Sequence, residues 1–263
     1  MIRSPLITVM VQAVRKAGRA LIRDFGEVEQ LQISRKGPAD FVSNADRKAE
    51  EILFTELSRA RPTYGFLMEE RGVVEGSDPD NLWVVDPLDG TTNFLHGIPM
   101  FAVSVGLVRA GVPYAGAIYN PIADELFIAE RGAGAFLNDR RLRVAARLKL
   151  ADCVVCCGLP HMARGDHAEF NRELGVVQKQ VAGLRRTGSA ALDLSWVAAG
   201  RFDAFWERGL SQWDMAAGLV MVREAGGFAS DMEGRDKALE KGDVLAGNEH
   251  IHRDLLRLLK SVA

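Results

Sequence analysis

The sequence predicts an α/β protein whose N-terminal half is α+β and whose C-terminal half alternates strands with helices. Three observations carry this expectation. Leu6 to Phe25 and Ala45 to Ala60 repeat apolar residues at helical spacing. Between Ala102 and Phe136, apolar-rich runs follow one another across short breaks, the pattern of antiparallel hairpins. After about Leu150, short apolar runs alternate with helical segments, as in a layered α/β unit. No Pro-, Gly- or Ser-rich linker divides these textures. Residues 1–148 and 149–263 are therefore expected to be two subdomains that share an interface.

Taken in order, the first helix ends at Gly26, a helix stop. A polar segment, KGPADFVSNAD (Lys36 to Asp46), leads to the second, with Asn44 as its expected cap and Pro62 beyond its end. YGFLM, Tyr64 to Met68, reads as a short buried strand running into Glu69 and Glu70. LWVVD, Leu82 to Asp86, is the next strand, and Pro87 stops its ladder because proline has no N–H to donate. Ala110-Gly111 joins two apolar runs as a hairpin turn. In the second half CVVCCGL, VAGLRRT, FDAFW and VLAG read as strands. Helices are expected over Ser189 to Ala199, Trp213 to Ala225 and Glu249 to Val262.

Composition narrows the function classes. The chain has 263 residues, 48% hydrophobic and 26% charged, with a formal charge of −2 and a pI near 6.2. Binding to a phosphate backbone usually shows as a basic excess or stripe, and the overall charge offers no such excess, so nucleic acid is not the expected partner. The longest apolar stretch, around Phe101 to Val108, is too short for a bilayer that needs roughly 20 apolar residues. All three cysteines crowd into Cys153, Cys156 and Cys157 with no second cluster to complete a metal cage. They read as packing thiols of a reducing interior, and a cytoplasmic location is expected.

The chemistry concentrates in VVDPLDGTTNF, Val84 to Phe94. A buried strand ends in Asp86, and Asp89 follows three residues later. Carboxylates at the end of a buried strand are costly unless a cation or hydrogen-bond donors meet them. Glu69 ends the preceding strand, and Asp214 stands at the mouth of a helix in QWDMAAG. If those ends are neighbours, the acids converge, and a hard cation with oxygen ligands, Mg²⁺ above all, resolves their repulsion. The bend at Pro87 then turns the carbonyl of Leu88 inward as a further oxygen ligand. Gly90-Thr91-Thr92 resembles a helix start, where N–H groups favour a phosphate. Taken alone, D-x-x-D followed by glycine is more often a turn with a helix cap than a catalytic motif, and both readings stay open at this point.

Separated pieces then point one way. DFVSNAD (Asp40 to Asp46), MEE (Met68 to Glu70), WVVDPLDGTTNFLHGIP from Trp83, RRTGSAALDL from Arg185 and WDMAAG from Trp213 stand in the order of one family. The chain resembles the inositol monophosphatases, within the lithium-sensitive, magnesium-dependent phosphatase superfamily. The resemblance implies the layered αβαβα sandwich of the sugar phosphatases and direct attack of water on a phosphate monoester. It implies Glu69, Asp86, Asp89, Asp214 and the Leu88 carbonyl as ligands of roughly two or three Mg²⁺ ions, with Mn²⁺ as a substitute. Glu69 and Thr91 would position the attacking water, with Asp46 behind Thr91 to orient its hydroxyl and accept a proton. Backbone N–H groups of Gly90 and Thr91 would hold the phosphate. Gly188, Ser189, Ala190 and Glu207 would receive a polyol ring, whose hydroxyls Asp89 and Asp214 would also touch. A homodimer and inhibition by lithium follow from the same resemblance.

Several departures and alternatives accompany it. Met68 replaces a glycine found in many relatives, and Ser211 stands where animal inositol enzymes carry histidine. Lys36 reads equally as a neighbour of the phosphate or as a solvated loop charge. His96 reads as a turn histidine. Arg185 and Arg186 read as a second-phosphate contact or as a charged strand near a subunit contact. The expected substrate is inositol 1-phosphate, with histidinol phosphate, or another small sugar or nucleotide phosphate, as the alternative. A non-enzyme alternative is a scaffold for the transcription machinery. Its nearest basic feature, Arg140, Arg141 and Arg143, reads as a solvated strand face.

Overall fold

The computed structural model describes residues 3–26, 33–37, 40–162 and 165–262, with backbone alone over 33–42. In chain order the elements are α1 (Pro5–Phe25), β1 (Ile33–Gly37), β2 (Asp40–Ser43), α2 (Asn44–Ala60), β3 (Tyr64–Met68), β4 (Gly72–Val74), β5 (Asp78–Asp89), α3 (Thr91–Leu95) and β6 (Ala102–Arg109). β7 (Val112–Asn120), β8 (Glu125–Glu130), β9 (Gly134–Leu137), β10 (Arg140–Arg141), β11 (Val154–Cys157), α4 (His167–Val177), β12 (Gly183–Arg185) and α5 (Ala190–Ala198) follow. The chain closes with β13 (Ala204–Glu207), α6 (Gln212–Glu224), β14 (Phe228–Ser230), α7 (Ala238–Lys241), β15 (Val244–Gly247) and α8 (Glu249–Lys260).

Five layers result. An eight-stranded sheet, in the order β10-β9-β8-β7-β6-β5-β3-β4, is antiparallel except where β3 runs parallel to β5. α1 and α2 cover one face, burying Met10, Val14, Leu21, Leu53 and Leu57 against Trp83, Val85 and Val105. α5 and α6 cover the other face and also back a five-stranded sheet, β12-β11-β13-β15-β14. In that sheet β11 is parallel to both neighbours, whereas β15 is antiparallel to β13 and β14. α4 and α8 close the outside, packing Phe170, Val177, Ile251 and Leu255 onto Trp206 and Leu245. This is the expected αβαβα sandwich. The middle layer buries residues of both halves, Ile118 and Phe127 with Leu192 and Phe205.

Two glycines set the depth at which α6 lies on the large sheet. A Cβ on Gly106 would come 2.8 Å from the Ala216 side chain, and one on Gly116 2.7 Å from the Ala217 carbonyl. Only hydrogen fits there. The close approach brings the N-terminal turn of α6, with Asp214, to the strand ends of β5 and β6.

The expected helices and hairpins are present, with local corrections. The cap of α2 is Ser43 and not Asn44, because the Ser43 side chain accepts from the Ala45 N–H while the Asp46 carboxylate reaches back to the Ser43 backbone. β5 starts at Asp78 and its pairing resumes after Pro87: Asp86 faces Ser104 and Asp89 faces Ala102, so one extra residue bulges out. The Ala110-Gly111 turn has both residues at positive φ, the mirror-image turn that suits strand twist. Arg140, Arg141 and Arg143 are exposed. The side chain of Lys36 lies outside the described residues.

Candidate active site

The parallel pairing of β3 with β5 places Met68 beside Val85, so Glu69 and Asp86 leave the sheet together. The Glu69 N–H extends the pairing to the Val85 carbonyl at 3.2 Å. The bulge after Asp86 folds the chain back, and the Leu88 N–H donates to Asp86 Oδ1 at 2.9 Å. The Leu88 side chain fills the core at 1% exposure. Asp89 reaches the other half: its Oδ2 accepts from Ser189 Oγ at 2.6 Å and from the Ala191 N–H at 2.7 Å. A carboxylate at the first turn of α5 is favoured by the unpaired N–H groups and positive end of a helix. Asp214, the third residue of α6, accepts from the Ser211 N–H at 2.7 Å, so Ser211 acts as a helix cap here.

These elements bring Asp86, Asp89 and Asp214 together, each offering an oxygen within 4.8 Å of the others. Three acids so close, with no histidine or cysteine among them, form an all-oxygen donor set. That chemistry suits a hard divalent cation of the Mg²⁺ or Mn²⁺ kind. Burial, and then the negative charges of Glu69, Asp89 and Asp214, push the Asp86 carboxyl well above its ordinary range. Burial lifts Asp89 to about 6 against the opposing hydrogen bonds from Ser189, Ala191 and Ala190. Glu69 acts on Asp86 by charge but stands outside the set of mutually close oxygens.

A stability prediction follows from these shifts. A carboxyl whose pKa is raised by folding favours the native state when protonated, below the unfolded value of roughly 4, and loses that contribution as pH rises through its folded value. With chelator present, Tm is expected to fall as pH is raised from about 4 past 6, the window set by Asp89. Millimolar Mg²⁺ should flatten or reverse the slope. A chelated protein whose Tm is independent of pH in this window would contradict the clustering of charged acids.

Thr91 begins α3 beside the cluster. Its cap, Gly90, has φ of +95°, and a Cβ there would lie 2.9 Å from the Met100 carbonyl and 3.3 Å from that of Gly188. Thr91 Oγ1 is 3.0 Å from the Leu88 carbonyl and 3.2 Å from Asp46 Oδ1. Asp46 is fully buried, and its other oxygen accepts from Ser43 N at 2.9 Å and Ser43 Oγ at 2.5 Å. Burial raises its carboxyl, opposed by the hydrogen bonds from Ser43 and Thr91.

The residues expected to line a polyol divide. Gly188 is half-buried, whereas Ser189 and Ala190 are buried and the Ser189 hydroxyl is spent on Asp89. Glu207 ends β13, with its carboxylate packed so closely on Gly158 that a Cβ there would lie 1.8 Å from Glu207 Cδ. It stands outside the tight oxygen cluster. His96 is exposed in the turn after α3, and Arg185 and Arg186 are exposed near the mouth of a shallow cavity that Trp196 and Phe202 also line. The three cysteines are buried free thiols, each raised by burial above its usual range. Sequence reasoning missed Glu50, one turn after Asp46. It is buried and accepts from the Glu70 N–H at 2.8 Å, which ties the turn carrying Glu69 to α2. The signal was helical spacing from Asp46.

Clustered acids with oxygen donors only, beside a hydroxyl backed by a buried carboxylate, define a site of the phosphoryl-transfer class. The chain belongs to the inositol monophosphatase family, whose model it matches over residues 2–263, and it is a phosphatase. It is 65% identical over 260 residues to an inositol-1-monophosphatase of Mesorhizobium japonicum, covering 99% of this chain and 98% of that one. It is 42% identical to a protein named Nus factor SuhB of Pseudomonas aeruginosa, covering 97% and 96% of the two chains. The crystal structure of an extragenic suppressor protein suhB from Bartonella henselae superposes with a TM-score of 0.96 at 59% identity, over 99% of this chain and all of that one.

Proposed function

We propose that this protein hydrolyses inositol 1-phosphate to inositol and phosphate with Mg²⁺, as a cytoplasmic, lithium-sensitive homodimer. The observation that carries the reading is the convergence of Asp86, Asp89 and Asp214. The name borne by the relative at 65% identity supports the substrate. Asp86, Asp89, Asp214, Glu69 and the Leu88 carbonyl would hold roughly two or three Mg²⁺ ions, or Mn²⁺ in their place. When bound, such ions offset charge on the phosphate and make water acidic enough to attack near neutral pH.

The chain's own residues do the rest. The first N–H groups of a helix lack intrahelical partners, so those of Gly90 and Thr91 serve to orient the phosphate. Thr91 directs its hydroxyl proton to Asp46 and accepts from the attacking water, which Glu69 flanks. Asp46, with its proton affinity raised by burial, takes up the proton that leaves. Asp89, Asp214, Gly188, Ser189, Ala190 and Glu207 form the side that meets the polyol. Because the reaction asks little covalent chemistry of the protein, positioning and charge supply most of the acceleration.

A panel of inositol 1-phosphate, histidinol phosphate, fructose 1,6-bisphosphate and 3′-phosphoadenosine phosphate, with and without Mg²⁺, tests the reading. Inositol 1-phosphate should lead in kcat/KM by about tenfold or more, the discrimination of a few well-placed hydroxyl contacts. A lead for histidinol phosphate would retain the chemistry and replace the substrate. A second reading, a contact with the transcription machinery, is favoured by the Nus factor name of the relative at 42% identity. It would coexist with hydrolysis on a different surface.

A further inference from the structure

Asp193 is a buried acid for which the hydrolytic reading has no use. It lies in the first turns of α5, 2% exposed, and burial pushes its carboxyl up to about 7. Its Oδ1 accepts from Thr187 Oγ1 at 2.6 Å, and the Cys156 thiol also bonds to it. Thr187 opens the short arc through Gly188 that leads into α5, and this arc delivers the Ser189 hydroxyl and the Ala191 N–H to Asp89. The arc is gripped from the other side as well. Asn93 of α3 donates through Nδ2 to the Thr187 carbonyl at 2.8 Å and to the Met100 carbonyl at 2.7 Å. Thr187 is thus pinned by its side chain to α5 and by its carbonyl to α3. The element that carries Thr91 and the one that orients Asp89 meet at this residue.

We infer that Thr187, clamped between Asp193 and Asn93, is a positioning residue that fixes the Asp89 carboxylate for cation binding. The inference rests on Asp89 being a cation ligand. The physical reason is the same one that makes outer hydrogen-bond partners matter in any cation site: a carboxylate free to rotate pays ordering entropy each time it binds, and one held by fixed donors does not. A buried acid must have its hydrogen bonds met, and Asp193 meets one of them on the loop that presents Ser189 and Ala191 to Asp89.

Mn²⁺ binding, read by electron paramagnetic resonance on the full chain, gives a measure independent of turnover. Thr187→Val keeps the volume and removes the hydroxyl. It should weaken Mn²⁺ binding about tenfold, the usual scale for losing an outer-sphere partner, and lower kcat/KM alongside. Thr187→Ser, which restores the hydroxyl, should return both to within about twofold of the original. Asn93→Ala releases the other grip and should weaken Mn²⁺ similarly; it takes over as the test if Thr187→Val does not fold. Unchanged Mn²⁺ affinity in the folded variant overturns the inference, as does a loss that Thr187→Ser fails to restore. Asp89→Asn separates this from the underlying reading. If Asp89→Asn binds Mn²⁺ as well as the unaltered protein, Asp89 is no ligand and both fall. If Asp89→Asn loses Mn²⁺ while Thr187→Val keeps it, the clamp alone is refuted.

Discussion

Asp89→Asn is expected to lower kcat/KM about a thousandfold or more while leaving the protein folded. Asp89 Oδ2 already accepts from Ser189 and Ala191, so an amide nitrogen placed there would face two donors. The side chain would therefore keep its oxygen toward α5 and turn its NH₂ group toward the acid cluster, where a cation ligand is required. Losing several kcal/mol of cation-borne charge stabilisation, at 1.36 kcal/mol for each tenfold, gives a loss of about that size. Stability should move the opposite way. Asp86, Asp89 and Asp214 are crowded and Asp86 is 2% exposed, so neutralising one relieves repulsion among buried like charges. With chelator, Tm should rise by a few degrees in the variant, roughly the response of a domain this size to 1 kcal/mol. Added Mg²⁺ should no longer raise it, because a ligand stabilises only the state that binds it. Activity within tenfold of the unaltered protein would remove the acid cluster from the reaction. The same variant separates the two functional readings, since a scaffold contact elsewhere on the surface would survive it.

Which parts of this arrangement were legible in the sequence follows from which forces are local. Hairpins announce themselves through period and turn chemistry, and Ala110-Gly111 is where the chain reverses. The acids at strand and helix ends were legible because a carboxylate in an apolar context demands a partner. What α5 does for Asp89 was not, because Ser189 and Ala191 meet it across a hundred residues of chain. Thr187 and Asp193 stand in the RRTGSAALDL stretch that carries the resemblance, but no local pattern assigns either a role, for the same reason. α4 escaped notice because one of its inward positions is Glu173, which breaks the apolar stripe. In the fold that acid is fully buried and satisfied by the Trp206 indole and the Arg208 guanidinium. The Asn44 cap failed by one residue, a usual error at helix ends, since Ser43 and Asn44 are both good caps and only the geometry chooses.

Thr91→Ala and Asp46→Asn should each lower kcat about a hundredfold to a thousandfold, the range for losing a positioned proton acceptor, with little change in KM or in Mg²⁺ affinity. Thr91 Oγ1 carries one proton and has two acceptors in reach, the Leu88 carbonyl and Asp46 Oδ1. Donation to Asp46 leaves the oxygen lone pairs for a water; donation to Leu88 leaves Asp46 with no line to it. The pair therefore works as a unit, and units are not additive. The double variant should be no slower than the slower single one, whereas independent roles would multiply the losses. Thr91→Ser, which keeps the hydroxyl, should recover most of the rate. Asp46 also caps α2 through Ser43, and because the amide oxygen of asparagine can still accept from Ser43, Asp46→Asn is expected to cost less stability than the loss of a cap, about 1 kcal/mol. That loss shows in Tm and not in kcat measured well below it. The pH profile distinguishes proton uptake from mere support. Burial raises the Asp46 carboxyl, so activity of the unaltered protein should decline on the acid side as Asp46 becomes protonated. At saturating Mg²⁺, which would keep the raised carboxyls of Asp86 and Asp89 ionised, Asp46→Asn should lose that limb, and an acid limb that persists unchanged in the variant would assign it to a different group.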